Sequence, residues 1–215
     1  MDNARVLSVN VAAVRPIDAK DGRTGIDKRP VDGPVEVLAP GVGGSGVGGD
    51  TICDTANHGG PDQAVYAYAR EDLDRWATEL GRELPGGVFG ENLTTVGLDV
   101  NGAVIGERWR VGSAVLEVSC PRIPCRTFAV WLERDRWQRT FTERALPGAY
   151  LRVITPGHIA AGDGVLVEHR PGHGVTIAEV FRAVTLEPEL LPRLVDVAEL
   201  PDDIRASARK RVGAR

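Results

Sequence analysis

The chain is poor in the residues that staple or metallate small scaffolds: its 215 residues include three cysteines and four histidines. An odd cysteine count in a chain this long does not make a disulfide framework, and the step from Cys120 to Cys125 is not the C-x-x-C of a zinc or thioredoxin site. The scattered histidines argue against structural zinc in the same way. Long hydrophobic runs are also missing, since no segment reaches the roughly 18 apolar residues of a membrane span. Met1 to Arg5 lead straight into the alternating Val6–Val11 without an apolar leader region. No signal peptide is therefore expected, and the chain reads as cytoplasmic. Nor is there an excess of positive charge. A net charge of −4 argues against a general nucleic-acid binder, and the basic cluster between Arg205 and Arg215 reads as the solvated end of a helix.

What the chain does have is length and 42% hydrophobic residues, enough for a full core and a small appendage. With 26 glycines and 14 prolines, its first part reads as short strands separated by turns. Val6–Val11, Val35–Leu38, Ala64–Tyr68, Arg108–Val111, Ala114–Val118, Tyr150–Ile154 and Val165–Glu168 are the strand candidates. Gly112-Ser113 fits the two-residue turn of a hairpin, with Gly112 at positive φ. Strands joined by turns, without a helix between each pair, predict a closed or nearly closed β-barrel and not a doubly wound sheet. Helices are expected as insertions, at Glu71–Leu80 and within Trp131–Ala145.

After Arg170–Gly174 the apolar period changes from 2 to 3.6. Thr176 to Glu179 form a capping box, and Ile177, Val180, Phe181 and Val184 make one helical stripe. Short helices are expected at Pro188–Val197 and Pro201–Val212. The division is thus a mainly β domain over residues 1–171 and a three-helix module over 175–212. Such a module needs a surface to dock on, and its own barrel or a second copy in a homodimer account equally for the stripe.

Cys125 is the residue most suited to chemistry. It lies in Cys120-Pro-Arg-Ile-Pro-Cys125-Arg126, stiffened by two prolines and flanked by Arg122 and Arg126, whose charge favours the nucleophilic, metal-binding thiolate. Cys53 and Cys120 lack such flanks and read as packing residues. Gly41-Val-Gly-Gly-Ser-Gly46 matches G-x-G-x-x-G, but no helix pattern follows, so a dinucleotide site is not expected and a loop over a site fits better. His58-Gly59-Gly60-Pro61-Asp62-Gln63 reads as a tight turn allowing close backbone approach. Phe89-Gly-Glu-Asn92-Leu-Thr94-Thr95 offers a turn with several hydrogen-bonding groups. Lys28-Arg29 supplies cations for an anion or for a solvated loop.

Taken together, Gly49-Asp50, His58 to Tyr66, Phe89 to Thr94 and Pro121 to Cys125 resemble the MOSC family, named after the C-terminal domain of molybdenum-cofactor sulfurases. The tail from Val175 to Arg211 is similar to the three-helix extension of its bacterial YiiM-like branch, which is linked to resistance to N-hydroxylated purine bases. The Gly41–Gly49 stretch departs from the pattern by its length. The resemblance implies a MOSC β-barrel whose cysteine, Cys125 here, ligates the molybdenum of a pterin cofactor or carries sulfane sulfur. It implies further that Lys28, Gly59, Gly60 and Arg122 bind the anionic cofactor, with Asn92 and Thr94 hydrogen-bonding the pterin or its phosphate, and that His58 relays a proton. Two activities follow from it. One is reduction of small N-hydroxylated substrates with electrons from a redox partner protein, without nucleic acid or membrane. The other is a non-enzymatic carrier of cofactor or persulfide sulfur.

Overall fold

The computed structural model describes residues 4–18 and 22–214, so Met1–Asn3 and Arg215 of the sequence reading lie outside the described residues. Chain order runs β1 (Arg5–Ala12), β2 (Arg15–Pro16), β3 (Arg23–Thr24), β4 (Lys28–Pro30), β5 (Val35–Val37), β6 (Val65–Ala69), α1 (Arg70–Leu80), β7 (Leu93–Val96), β8 (Arg108–Val111), β9 (Ala114–Pro121), α2 (Arg126–Trp131), α3 (Trp137–Arg144), β10 (Ala149–Thr155), β11 (Gly157–Ile159), β12 (Val165–His169), α4 (Ile177–Thr185) and α5 (Asp202–Gly213). Short 3-10 segments lie at Pro61–Gln63 and Pro188–Leu194.

A mixed eight-stranded sheet in the order β12-β8-β9-β10-β6-β7-β1-β4 dominates the fold, as expected of a mainly β chain with inserted helices. Its β6–β7 pair is parallel, and α1 begins the crossover that this direction requires. The β8–β9 hairpin turns at Gly112-Ser113, where Val111 pairs with Ala114 and Gly112 has φ +55°. The ladder does not close into a barrel. Its ends meet through the bridge Arg5–Gly164 and two backbone bonds, Val6 N to Asp163 O at 2.9 Å and Val165 N to Ala4 O at 2.8 Å. Closure stops there because the Asn10–Ala12 part of β1 already pairs with β4.

Two strands run through segments that the sequence presented as polar loops. Lys28-Arg29-Pro30 is β4, and Leu93-Thr94-Thr95-Val96 is β7, whose Thr94 and Thr95 are buried. Polar side chains hid these strands from a hydrophobicity pattern, because their partners are other buried polar groups.

The core has two parts. An aliphatic part gathers Val6, Val9, Leu93, Leu116, Val118 and Leu151 with Trp109, and the tail residues Val180, Ala183, Leu191 and Leu194 belong to the same cluster. The apolar stripe of α4 is therefore covered by the chain itself, each buried aliphatic side chain being worth about 1.5–3 kcal/mol. Half of the capping box is formed: Thr176 Oγ1 accepts from Glu179 N at 3.2 Å, while the Glu179 carboxylate pairs with Arg193 at 2.9 Å. The other part of the core is aromatic. All but Trp109 of the chain's aromatic residues lie in it or pack against it, including Trp76, Phe89, Phe128, Trp137, Phe141 and Phe181. It joins α1, α2, α3 and α4 to the sheet and forms the floor beneath Cys125. None of the described helices is long and apolar enough to cross a membrane.

Candidate active-site cleft

Cys125 stands at the junction of β9 and α2. Cys125 lies four residues after β9 ends, α2 begins at the next residue, Arg126, and the half-buried Cys125 side chain faces a cleft. His58, Gly59, Lys28, Asp50, Asn92, Arg122, Tyr66 and Tyr150 also line this cleft, together with Cys53 and Thr127. Five segments far apart in sequence thus converge on one thiol.

Burial alone would raise the Cys125 pKa. The hydrogen bond from His58, the Arg122 guanidinium and the Phe128 backbone amide outweigh it and bring the thiol down to about 6. Near neutral pH the sulfur is a thiolate. Arg126, expected to share this task, is exposed and does not line the cleft. His58 supplies the influence on the thiol that Arg126 was expected to share. Cys120 is the opposite case: on the buried β9, its thiol is pushed up to about 12 by burial.

Arg122 is held as a flat clamp. Its guanidinium carbon lies 4.0 Å from the centre of the Phe128 ring and 5.6 Å from that of Tyr66. Burial carries the Tyr150 phenol up to about 12 even though the nearby Arg122 guanidinium pulls it down. The Nη1 atom of Arg122 is buried without a hydrogen-bond partner among the described residues. A buried cation with an unfilled donor is costly on its own, and an anion in the cleft would satisfy it.

The opposite wall is a polar network centred on Asp50. Its carboxylate accepts from Lys28 Nζ, from Ala12 N at 2.8 Å, from Ser45 Oγ at 2.7 Å and from Asn92 Nδ2 at 2.9 Å. Desolvation is the strongest influence on both partners. It lowers the Lys28 pKa in spite of Asp50, whereas for Asp50 the contacts with Lys28 prevail and hold the carboxyl below its ordinary value. Asn92 also accepts from Tyr66 N at 3.1 Å, which ties β6 to the start of β7.

The structure brings Lys28, His58, Gly59, Asn92, Arg122 and Cys125 to one cleft. Thr94 and Gly60 lie outside its lining. Thr94 is buried between Asn10 Nδ2 at 3.0 Å and the Glu91 carboxylate at 3.0 Å, and Glu91 in turn accepts from Gly87 N and Phe89 N. Gly60 N donates to Gly44 O at 2.9 Å. The glycine-rich Gly41–Gly46 stretch thereby backs the His58 turn from behind, with its exposed tip at Gly41 and Val42. Gly59 needs its glycine: φ is +82°, and a Cβ there would sit 2.7 Å from Gly44 O.

Sequence reasoning named Asp50 and Tyr66 only as parts of motifs, read Cys53 as a packing residue and gave Tyr150 no role beyond a strand, yet all four line the cleft. An aspartate in a glycine-rich loop carries no mark of a lysine 22 residues earlier. Tyr66 and Tyr150 looked like strand residues, which they are, with one face turned to the cleft.

Comparison with known proteins agrees with this geometry. The family model described as the MOSC domain matches residues 54–166. The chain is 32% identical over 211 residues to the uncharacterized protein YflK of Bacillus subtilis, covering 96% of this chain and 93% of that one. It is 32% identical over 185 residues to a protein of Gibberella moniliformis named Reductase, where the match covers 82% of this chain and 31% of the longer relative. Among solved structures, YiiM from Geobacillus stearothermophilus superposes with a TM-score of 0.79 at 26% identity, covering 97% of this chain and 99% of that one. The clustering of the motif residues around Cys125 and these matches have one explanation, which is that this chain belongs to the MOSC domain family.

Proposed function

We propose that the cleft binds a molybdenum-pterin cofactor through Cys125 and that the protein reduces N-hydroxylated bases or related compounds with an external electron donor. The observation that carries this reading is a thiolate and an unfilled cationic donor in one cleft: Cys125 with its pKa lowered to about 6, and Arg122 with Nη1 buried and unpartnered. A thiolate is a soft ligand suited to a sulfur-rich metal centre, and the guanidinium suits an anionic group beside it. The donor set fits the cofactor. Membership of the MOSC family and the relative named Reductase support the same reading.

Within this proposal Cys125 would be the protein's ligand to molybdenum, and Arg122 would hold the anionic part through the donor now lacking a partner. Lys28, Gly59 and Asn92 line the approach. Their polarity is fixed by Asp50, which engages Lys28 and Asn92 together. When bound, the cofactor would supply the two-electron, oxygen-removing step. The residues of the chain do the rest. His58 lines the cleft with Cys125 and helps to lower its pKa, which keeps that sulfur deprotonated. The aromatic floor of Phe128 and Phe89 excludes water beneath it. Tyr66 and Tyr150 add aromatic surface to the cleft wall beside Arg122.

The test is metal analysis of protein purified from a cofactor-producing host, with reduction of an N-hydroxylated purine by a chemical electron donor. Near-stoichiometric molybdenum and turnover, both lost in Cys125→Ser, are expected. Persulfide sulfur on Cys125 with no molybdenum would overturn the reading in favour of a sulfur carrier.

A further inference from the structure

Several polar side chains of the cleft are spent on the protein itself. Lys28 is held by Asp50, Asn92 donates to Asp50 and accepts from Tyr66 N, and the Tyr66 hydroxyl donates to Pro147 O at 2.7 Å. Among the described residues, two lining side chains keep a buried polar atom without a hydrogen-bond partner. One is the Nη1 donor of Arg122, assigned above to an anionic group. The other is an acceptor, Oε1 of Gln63, which the proposed function leaves unused.

Gln63 does not sit on a loose loop. It ends the short 3-10 segment Pro61–Gln63, and its N–H donates to Gly60 O at 3.1 Å. Gly60 N in turn donates to Gly44 O at 2.9 Å, and on the far side of Gln63 the carbonyl of Ala64 accepts from Gly46 N at 2.8 Å. Asp62 accepts from Arg152 Nε at 2.6 Å, while Arg152 Nη1 donates to Glu117 at 3.1 Å and to Glu199 O at 2.7 Å. The backbone is therefore fastened before and after Gln63. From there the chain runs into β6, where the Tyr66 ring centre lies 5.6 Å from the Arg122 guanidinium carbon.

A buried amide oxygen without a donor is unfavourable, and a fixed backbone prevents it from turning away at no cost. A bare oxyanion would satisfy Arg122 but not this oxygen, since both are acceptors. An occupant with an N–H group supplies what is missing. We infer that Gln63 is a specificity-determining residue whose Oε1 accepts a hydrogen bond from an N–H of the heterocycle in the cleft. The site thus takes a nitrogen heterocycle with free N–H groups in preference to one without them. This deepens the reading that the cleft holds a pterin, and rests on it. Because the oxygen is already out of water and its backbone already ordered, little is lost on the protein side when the bond forms.

The experiment titrates cofactor-free protein with pterin-6-carboxylate, an anionic heterocycle with free N–H groups, and with 1,3-dimethyllumazine-6-carboxylate, which has none, each followed by fluorescence anisotropy. The parent is expected to bind the first about tenfold more tightly. Gln63→Met keeps the length of the side chain and removes the acceptor. It should lose the preference, while the melting temperature of the empty protein stays the same or rises because an unfilled buried acceptor is gone. A glutamine that only held the turn would give the reverse, a lower melting temperature with the preference intact, and that result would overturn the inference. So would a parent that binds the two ligands equally or binds neither. The molybdenum content of protein from a cofactor-producing host is read separately: full loading together with an unchanged preference in Gln63→Met removes the Gln63 assignment alone, whereas a parent without molybdenum removes the cofactor reading.

Discussion

The Lys28 ammonium lies 2.5 Å from both oxygens of the Asp50 carboxylate, and both side chains are buried. This pair is the hub of one cleft wall, since Asp50 also holds Ala12, Ser45 and Asn92. Burial works against the Lys28 charge, and Asp50 is what sustains it. Lys28 is accordingly a neutralised cation at the wall, while Arg122 keeps a free donor.

Removing one partner leaves a buried charge uncompensated, so Asp50→Asn is expected to lose about 3–5 kcal/mol of stability. Lys28→Met should cost a similar amount. Because the two act as one unit, the double variant should fall short of the sum by at least about 0.5–3 kcal/mol, read from urea unfolding. Strict additivity would show that the pair is not coupled.

The Cys125 thiol gives a pH signature. Alkylation by iodoacetamide should rise with a midpoint at about pH 6, and His58→Ala should move that midpoint upward toward the ordinary thiol value. Stability should follow the same group. The unfolded thiol titrates at about 8.5, so between that value and the folded pKa the unfolded chain holds a proton that the folded chain has released. The contribution of Cys125 is therefore complete above the unfolded pKa and is lost as pH falls through the folded one. Cys125→Ser should flatten this part of the stability curve, and a parent midpoint above pH 8 would contradict the arrangement.

Gly59→Ala tests the turn that carries His58. The added Cβ meets Gly44 O, Ile52 Cδ1 and Gly43 O, each within 2.8 Å, at a positive φ. Strain of about 1–3 kcal/mol is expected. Relief requires the turn to lift, so the variant should also show a raised Cys125 pKa in the alkylation profile. A loss of stability with the thiol profile unchanged would mean that His58 keeps its place without Gly59.

Much of this was legible in the sequence, for definable reasons. β1, β8, β9 and β10 announce themselves by alternation, and α4 by its stripe. Cys125 was marked by its prolines and by Arg122. What escaped shares one cause: polar groups whose partners are distant in sequence. β7 was read as a capped turn because Thr94 and Thr95 look solvated until Glu91 and Asn10 are placed beside them. Arg126 was credited with a charge effect that His58 supplies across 67 residues of chain, since adjacency in sequence is not adjacency once α2 turns. The role of Arg152 was invisible for the same reason, although it ties Asp62 beside the His58 turn to the backbone of Glu199 in the tail.

The tail should unfold with the sheet. Phe181 on α4 belongs to the aromatic core with Phe141, while its neighbours Val180 and Ala183 belong to the aliphatic core. A helix that enters both cores cannot leave without opening each. Phe181→Ala is expected to cost about 3–5 kcal/mol, and Thr176→Ala about 1 kcal/mol through loss of the α4 cap. In both variants tryptophan fluorescence, which reports Trp76 and Trp137 in the aromatic core, should fall in the same transition as helical circular dichroism. If the helical signal melted first and the fluorescence later, the tail would be an independently folding unit, and the cleft would owe its shape to the sheet and the inserted helices alone.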